Sequence, residues 1–436
     1  MPAVPPVPLA WANLTHDRIR FALFTLGIAF AVVLMGVQMG IQNALIDSNC
    51  RLIDHLNADL VMVHPYRASL IYREDVSRRW LTMARGVPGV IGAYPLYLDY
   101  QATEFRGPRS PEPNPSSSAS AARGSRDNPL QTIRVIGIDP ESDVLKLATE
   151  GTAAPDLTVL RVPGHALFDR RAKASKVRTS NDPTITLETI YGPIPVQPHD
   201  PRWPIPVELN GQSLTLDGGF DFGPDFGTDG TLIVSDRTFI EWIRQRTNPF
   251  SPEAMVDLGL LKIAPGEVPE VVAERVRTAI AADPMHPNRS VEVLTKAEFR
   301  DRERQFWLTM TPIGFAFRMG MILGFIVGMV ISYQILSGDV ADHLPEYATL
   351  RAIGYSNGFL SRVVLQEALI LAAMGFLPGI AITAGVYWVL ARVTGLPVDL
   401  TPTRTGWLLF SAVMMCGISG LLALRKAQKV DPADVF

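Results

Sequence analysis

Four apolar stretches, at 21–41, 311–336, 363–390 and 407–424, constrain this chain more than any other feature. A bilayer core takes roughly 20 apolar residues in helical form, because every backbone polar group there must be paired within its own segment. The stretches hold few polar residues: Thr25 and Gln38 in the first, Arg318 and Ser332 to Gln334 in the second, Gln366 and Glu367 at the start of the third. The 42–310 segment between the first two is polar and mixed in pattern. The predicted architecture is a membrane protein with four transmembrane α-helices and a large α+β extracytoplasmic domain inserted between spans 1 and 2. The first stretch exceeds the about 7–15-residue apolar run of a signal peptide and is followed by no small-x-small cleavage site, so it reads as an anchor.

Lys and Arg in short flanks set orientation. Arg18 and Arg20 precede span 1, and Arg425, Lys426 and Lys429 follow span 4. Arg351 and Arg362 lie in the loop after span 2, Arg392 and Arg404 in the loop after span 3. The basic ends predict a multi-pass membrane protein with both termini, 1–20 and 425–436, cytoplasmic. The loop at 337–362 is then cytoplasmic as well, and 42–310 and the short 391–406 loop lie outside. A net charge of −3 without a concentrated basic face gives no reason to expect nucleic acid.

Within 42–310, helical periodicity continues through 43–56 as an outward stalk. Segments 59–64, 132–138, 205–209, 213–217 and 232–235 read as strands from their β-branched content. Asn210-Gly211 between two of them is a type I′ hairpin signal. Residues 268–282 read as an amphipathic helix, and 296–310, with alternating charges, as a second stalk joined to span 2. The Pro/Ser-rich stretch at about 105–128 is expected to be a disordered surface insertion.

No phosphate loop, H-E-x-x-H, G-x-S-x-G or C-x-x-C occurs, so no catalytic residue, cofactor or metal is assigned. Cys50 and Cys416 are unsuited to pairing with each other. Asp217, Asp221, Asp225 and Asp229 recur among glycines; their spacing does not match a calcium loop and reads as turns. Gly320, Gly324 and Gly328 repeat every four residues in span 2, as Gly36 and Gly40 do in span 1. Such spacing lets backbones approach closely, either within the chain or at a dimer seam. Glu367, about one turn inside span 3, reads as an interfacial carboxylate, wetted or paired with Arg362.

The loop GDVADHLPEYATLRAIGYSNGFL and the LQEALILA that follows resemble the coupling region of FtsX-like permeases, the membrane subunits of MacB-type ABC systems. The residues that carry this are Glu346, Leu350-Arg351, the step from Ala352 to Gly354, and Glu367. The wording HLPEYATLRAIGY, the beginning LAWANLTHDRIRFALFTLGIAFAVVLMGVQMGIQNALIDS and the ending AQKVDPADVF are similar to the DevC subfamily. From Leu344, helical spacing puts Tyr347, Leu350, Arg351 and Gly354 on one face. With Glu346, they are the candidate ATPase-coupling residues. The resemblance implies a separate ABC ATPase subunit, a permease homodimer and a place in the bacterial inner (plasma) membrane. It also implies export of a lipid or other hydrophobic substrate by motion passed along the stalks, with a membrane-fusion adaptor and a TolC-like outer-membrane channel. The competing expectations are a permease that regulates an extracytoplasmic cell-wall hydrolase, and a membrane-anchored binding domain.

Overall fold

The computed structural model describes residues 18–100, 103–108, 131–147, 155–173, 191, 194, 203–244, 253–283, 291–343, 345, 349, 353 and 357–427. Helix α1 (Arg18–His55) holds 38 residues, about 57 Å at 1.5 Å per residue, against a hydrocarbon core of about 30 Å. The chain divides into two compact units, and their boundary, between Ala44 and Leu45, falls inside this unbroken helix. One unit is a helix bundle; the other is the sheet-rich inserted domain.

The inserted domain begins with β1 (Leu60–Val63), β2 (Val76–Ser77), α2 (Arg79–Arg85) and β3 (Val90–Asp99). An excursion follows: β4 (Glu104–Arg106), β5 (Gln131–Thr132), β6 (Arg134–Ile138), a 3-10 turn at Leu157–Arg161, β7 (His165–Asp169), β8 (Ile205–Leu209), β9 (Gln212–Phe220), β10 (Thr231–Ser235) and the short α3 (Asp236–Phe239), which runs into a π turn at Ile240–Arg244. The chain returns through β11 (Met255–Val256), β12 (Leu258–Ile263), α4 (Pro269–Ala281) and β13 (Glu292–Thr295). It leaves by α5 (Lys296–Gln305) and a second π turn, Phe306–Met310. Among the described residues one sheet runs β13-β1-β12-β3-β6-β10-β7-β9-β8-β4-β5, with β11 paired to β2 beside it. Its first four strands, antiparallel throughout and carrying α2 and α4 as crossovers, form a split β-α-β-β-α-β unit into which the excursion is spliced.

Strand pleating explains why β1 is apolar at every position. Leu60 and Met62 face a core shared with Trp80 of α2 and Val272 and Val276 of α4. Val61 and Val63 face a second core built with Leu52, Ile53 and Leu56 of α1 and Phe299 of α5. The sheet is thus a middle layer, with the ends of both stalk helices packed on one side. Asn210 (φ 52°) and Gly211 (φ 82°) join β8 to β9 with positive φ at both positions, as a type I′ turn requires.

The bundle adds α6 (Pro312–Asp342), α7 (Asn357–Thr394) and α8 (Pro402–Ala427). With α1, these are, among the described residues, four helices long and apolar enough to cross a membrane. They pack through small residues: a Cβ on Gly375 or Gly379 of α7 would stand 2.6 Å from Ile28 or 2.8 Å from Val32 of α1. Outward rows such as Ile322, Leu323, Ile326, Val327 and Val330 of α6 remain exposed, as a lipid-facing surface demands.

Two expectations change. Phe105, placed at the start of a disordered insertion, is fully buried in β4, stacked on Phe168; residues 109–130 lie outside the described residues. The second stalk does not run smoothly into its span. Thr311 is extended (φ −100°, ψ 141°), its side chain accepts from the Gly314 N–H, and Pro312 opens α6, so a new helix starts there.

Candidate functional site

The coupling residues Glu346, Tyr347, Leu350, Arg351 and Gly354 lie outside the described residues. Their described neighbours keep helical spacing: Thr349 Oγ1 donates to the Pro345 carbonyl at 2.9 Å, and the Ile353 N–H donates to the Thr349 carbonyl at 3.1 Å. Ile353 is exposed. The segment is entered from α6, whose last turn buries Asp339, and left by α7.

Glu367 is placed differently from the sequence reading. It is fully buried, on the helix face that carries Val364, Ala368 and Leu371 into the bundle core, while Arg362 is exposed. The carboxyl therefore belongs to the packed interior rather than to an interface with water. Gly320, Gly324 and Gly328 of α6 face α1 of the same chain: their missing side chains leave room for Gln38, Met35 and Ala31. Gly36 and Gly40 face Thr383 and Tyr387 of α7, and the Tyr387 hydroxyl donates to the Gly36 carbonyl at 2.5 Å. A single helix, α1, is thus gripped through small residues from two sides.

In the inserted domain the two stalk helices are bound to each other. Arg300 Nε donates to Asp54 Oδ1 at 2.8 Å, and Lys296 Nζ donates to the Leu56 carbonyl at 2.6 Å and the Asp54 carbonyl at 3.0 Å. Lys296 so caps the carbonyls that the end of α1 leaves open. The Arg51 guanidinium donates to the Phe222 carbonyl, tying α1 to the loop after β9.

Beside them lies a buried polar cluster that no motif announced. Glu303 of α5 accepts from Ser69 Oγ at 2.6 Å, the Leu70 N–H at 2.8 Å and Trp307 Nε1 at 2.8 Å. Burial pushes its carboxyl above the usual range against these three donors. Arg67 donates to the carbonyls of Asp257, Glu74 and Leu70, and Arg244 pairs with Asp75 and Asp257. Burial likewise raises Asp257. The sequence signal for Glu303 was its register: Phe299, Glu303, Phe306 and Trp307 fall at i, i+4, i+7 and i+8 and share the buried face.

The regularly spaced aspartates each have a separate basic partner. Asp217 meets His165 at 2.7 Å, Asp221 meets Arg170 at 2.9 Å, Asp225 meets Arg134, and Asp229 meets Lys173 at 3.1 Å. Asp169 is fully buried and accepts N–H groups of Arg171, Phe222 and Gly223, yet burial pushes it up to about 6.

Among the described residues, α1 and three further helices long and apolar enough to cross a membrane, with a sheet domain inserted between the first two, define a class: a multi-pass membrane protein with an inserted domain. Residues 318–432 match the model of the FtsX-like permease C-terminal family, so this part of the chain is similar to FtsX-like permeases. Among solved structures, the periplasmic region of MacB from Actinobacillus actinomycetemcomitans is similar at a TM-score of 0.33 and 12% identity, over 59% of this chain and 96% of that one. The extracellular domain of the noncanonic ABC-type transporter YknZ from Gram-positive bacteria is similar at 0.31 and 12%, over 55% and 100%. No curated protein matches the chain.

Proposed function

We propose that this chain is the membrane subunit of a MacB/DevC-type exporter, passing ATP-driven motion from a separate ATPase to its inserted domain. The observation that carries the reading is the linkage of the stalks. Helix α1 runs unbroken from a membrane span into the domain, and Asp54 near its end is paired to Arg300 of the second stalk at 2.8 Å. A displacement at the bundle thereby reaches the sheet through rigid, cross-bound elements. In this reading two permeases form a homodimer on two ATPases, with Tyr347, Leu350 and Arg351 seating in the ATPase and Glu346 and Gly354 bounding that contact. The inserted domain faces outward, where it works with a membrane-fusion adaptor and a TolC-like channel on a lipid or other hydrophobic substrate. Regulation of a cell-wall hydrolase would use the same linkage; a neighbouring hydrolase gene without an adaptor gene would favour it.

Tyr347→Ala combined with Leu350→Ala is expected to abolish permease-stimulated ATP hydrolysis by the purified partner while membrane insertion and dimerisation persist. A double variant that still stimulates hydrolysis normally would remove this segment from the mechanism. Sidedness has its own check. A cysteine in place of Glu292 should react with an impermeant reagent in cells with a permeabilised outer membrane, and one in place of Asp342 should not; the reverse pattern inverts the topology.

A further inference from the structure

The loop between β1 and β2, from His64 to Asp75, is held from below more firmly than its surface position requires. Arg67, 1% exposed, binds the carbonyls of Leu70 and Glu74 inside the loop and of Asp257 beneath it. Glu303 takes hydrogen bonds from Ser69 and Leu70, and Arg302 Nη2 donates to the Pro65 carbonyl at 2.7 Å. On this fixed frame two aromatic side chains stay exposed: Tyr66 is 83% exposed and Tyr72 50%. Large amphipathic rings presented to solvent on a rigid mount indicate a surface they meet.

The chain itself states which surface. Tyr72 packs edge-on against Phe306, with ring centroids 5.5 Å apart, and Phe306 lies six residues before Pro312, where α6 begins its membrane span. Those six residues cover about 9 Å as helix and at most about 21 Å fully extended. The headgroup layer on each side of the hydrocarbon is about 5–8 Å deep. Met310, two residues before Pro312, is 73% exposed. Tyr and Trp concentrate at that level because the ring sits among acyl-chain ends while the polar atom stays hydrated. Trp388 near the end of α7 and Trp407 near the start of α8 are exposed in the same manner, and Arg392 stacks over Trp388 at 4.1 Å.

We propose that the His64–Asp75 loop rests on the membrane surface, with Tyr66 and Tyr72 lying among phospholipid headgroups and Glu303 and Arg67 fixing their height. The loop is then a lipid contact of the inserted domain. The proposal needs only the four membrane spans and is independent of coupling, adaptor or sidedness.

Spin labels on Tyr66→Cys, Tyr72→Cys and, as a control exposed elsewhere on the domain, Ile91→Cys test it in the full chain; Cys50 and Cys416 are buried and stay in place. In phosphatidylethanolamine/phosphatidylglycerol proteoliposomes, labels at 66 and 72 should be several-fold less accessible to a water-soluble nickel chelate than the label at 91. They should also remain open to oxygen. Equal nickel access at all three positions would place the loop in bulk water and overturn the proposal. Exclusion of both reagents at 66 and 72 would overturn it too, by showing that a second copy or another protein covers the loop. Retained monodispersity and far-UV circular dichroism of each variant guard against misfolding.

Discussion

Glu303 and Asp169 show how two carboxyls of the same domain are kept out of water for different ends. Glu303 holds a helix to a loop, and its removal strands three buried donors. Each orphaned donor costs about 1–3 kcal/mol, so Glu303→Ala is expected to lower stability by about 3 kcal/mol or more, whereas Glu303→Gln keeps an acceptor and loses about 1. Thermal unfolding of the detergent-solubilised protein should order the variants wild type, Gln, Ala. Asp169 sits against backbone N–H groups, but burial raises its folded pKa to about 6, from an ordinary 3.8. A carboxyl raised on folding favours the native state when protonated, so its contribution is complete below about pH 4 and fades as pH climbs through about 6. Across that window the contribution is about 3 kcal/mol. Asp169→Asn cannot titrate, so the stability of wild type relative to this variant should shrink as pH rises from 4 to 7.5. A constant difference would mean that Asp169 is ionised throughout.

Helix α7 approaches α1 as closely as it does because Gly375 and Gly379 carry no side chain. A Cβ at Gly379 would lie 2.8 Å from Val32 Cβ and 3.1 Å from the Ala29 carbonyl, backbone that cannot step aside. Gly379→Leu should therefore part the two helices and lower the melting temperature of the solubilised protein; Gly385→Leu, with open space around it, should not. A melting temperature equal to wild type for the Gly379 variant would refute the close-packed interface. At this scale the sequence was legible where local physics was unopposed. The four spans declare themselves by apolar length, and the β8–β9 hairpin by Asn210-Gly211. Strand β3 was missed because Pro95 interrupts its run; Pro95 sits one residue before pairing with β6 begins, where the strand is paired on one side only. Strand β12 was missed because both its faces are buried, so LGLLKI shows no alternation. Thr311-Pro312 did spell a helix start, but the apolar run beyond it outweighed the signal. Glu303 shares its register with Phe299, Phe306 and Trp307, but the alternating string of charges around it masked that signal. The coupling proposed for residues 346–354 comes from resemblance.

The two covalent connections between bundle and domain are unlike. The first is α1, helical from Arg18 through His55; the second passes a π turn and the extended Thr311 before α6 starts. A continuous helix resists both stretching and twisting, so a rotation applied to α1 in the membrane arrives at Arg51 and Asp54 as a rotation. At Thr311 the hydrogen-bonded ladder is cut, and torque dissipates in two soft dihedrals while tension still passes. The two connections therefore differ in kind: one is stiff in torsion along its whole length, and the other is joined at a swivel.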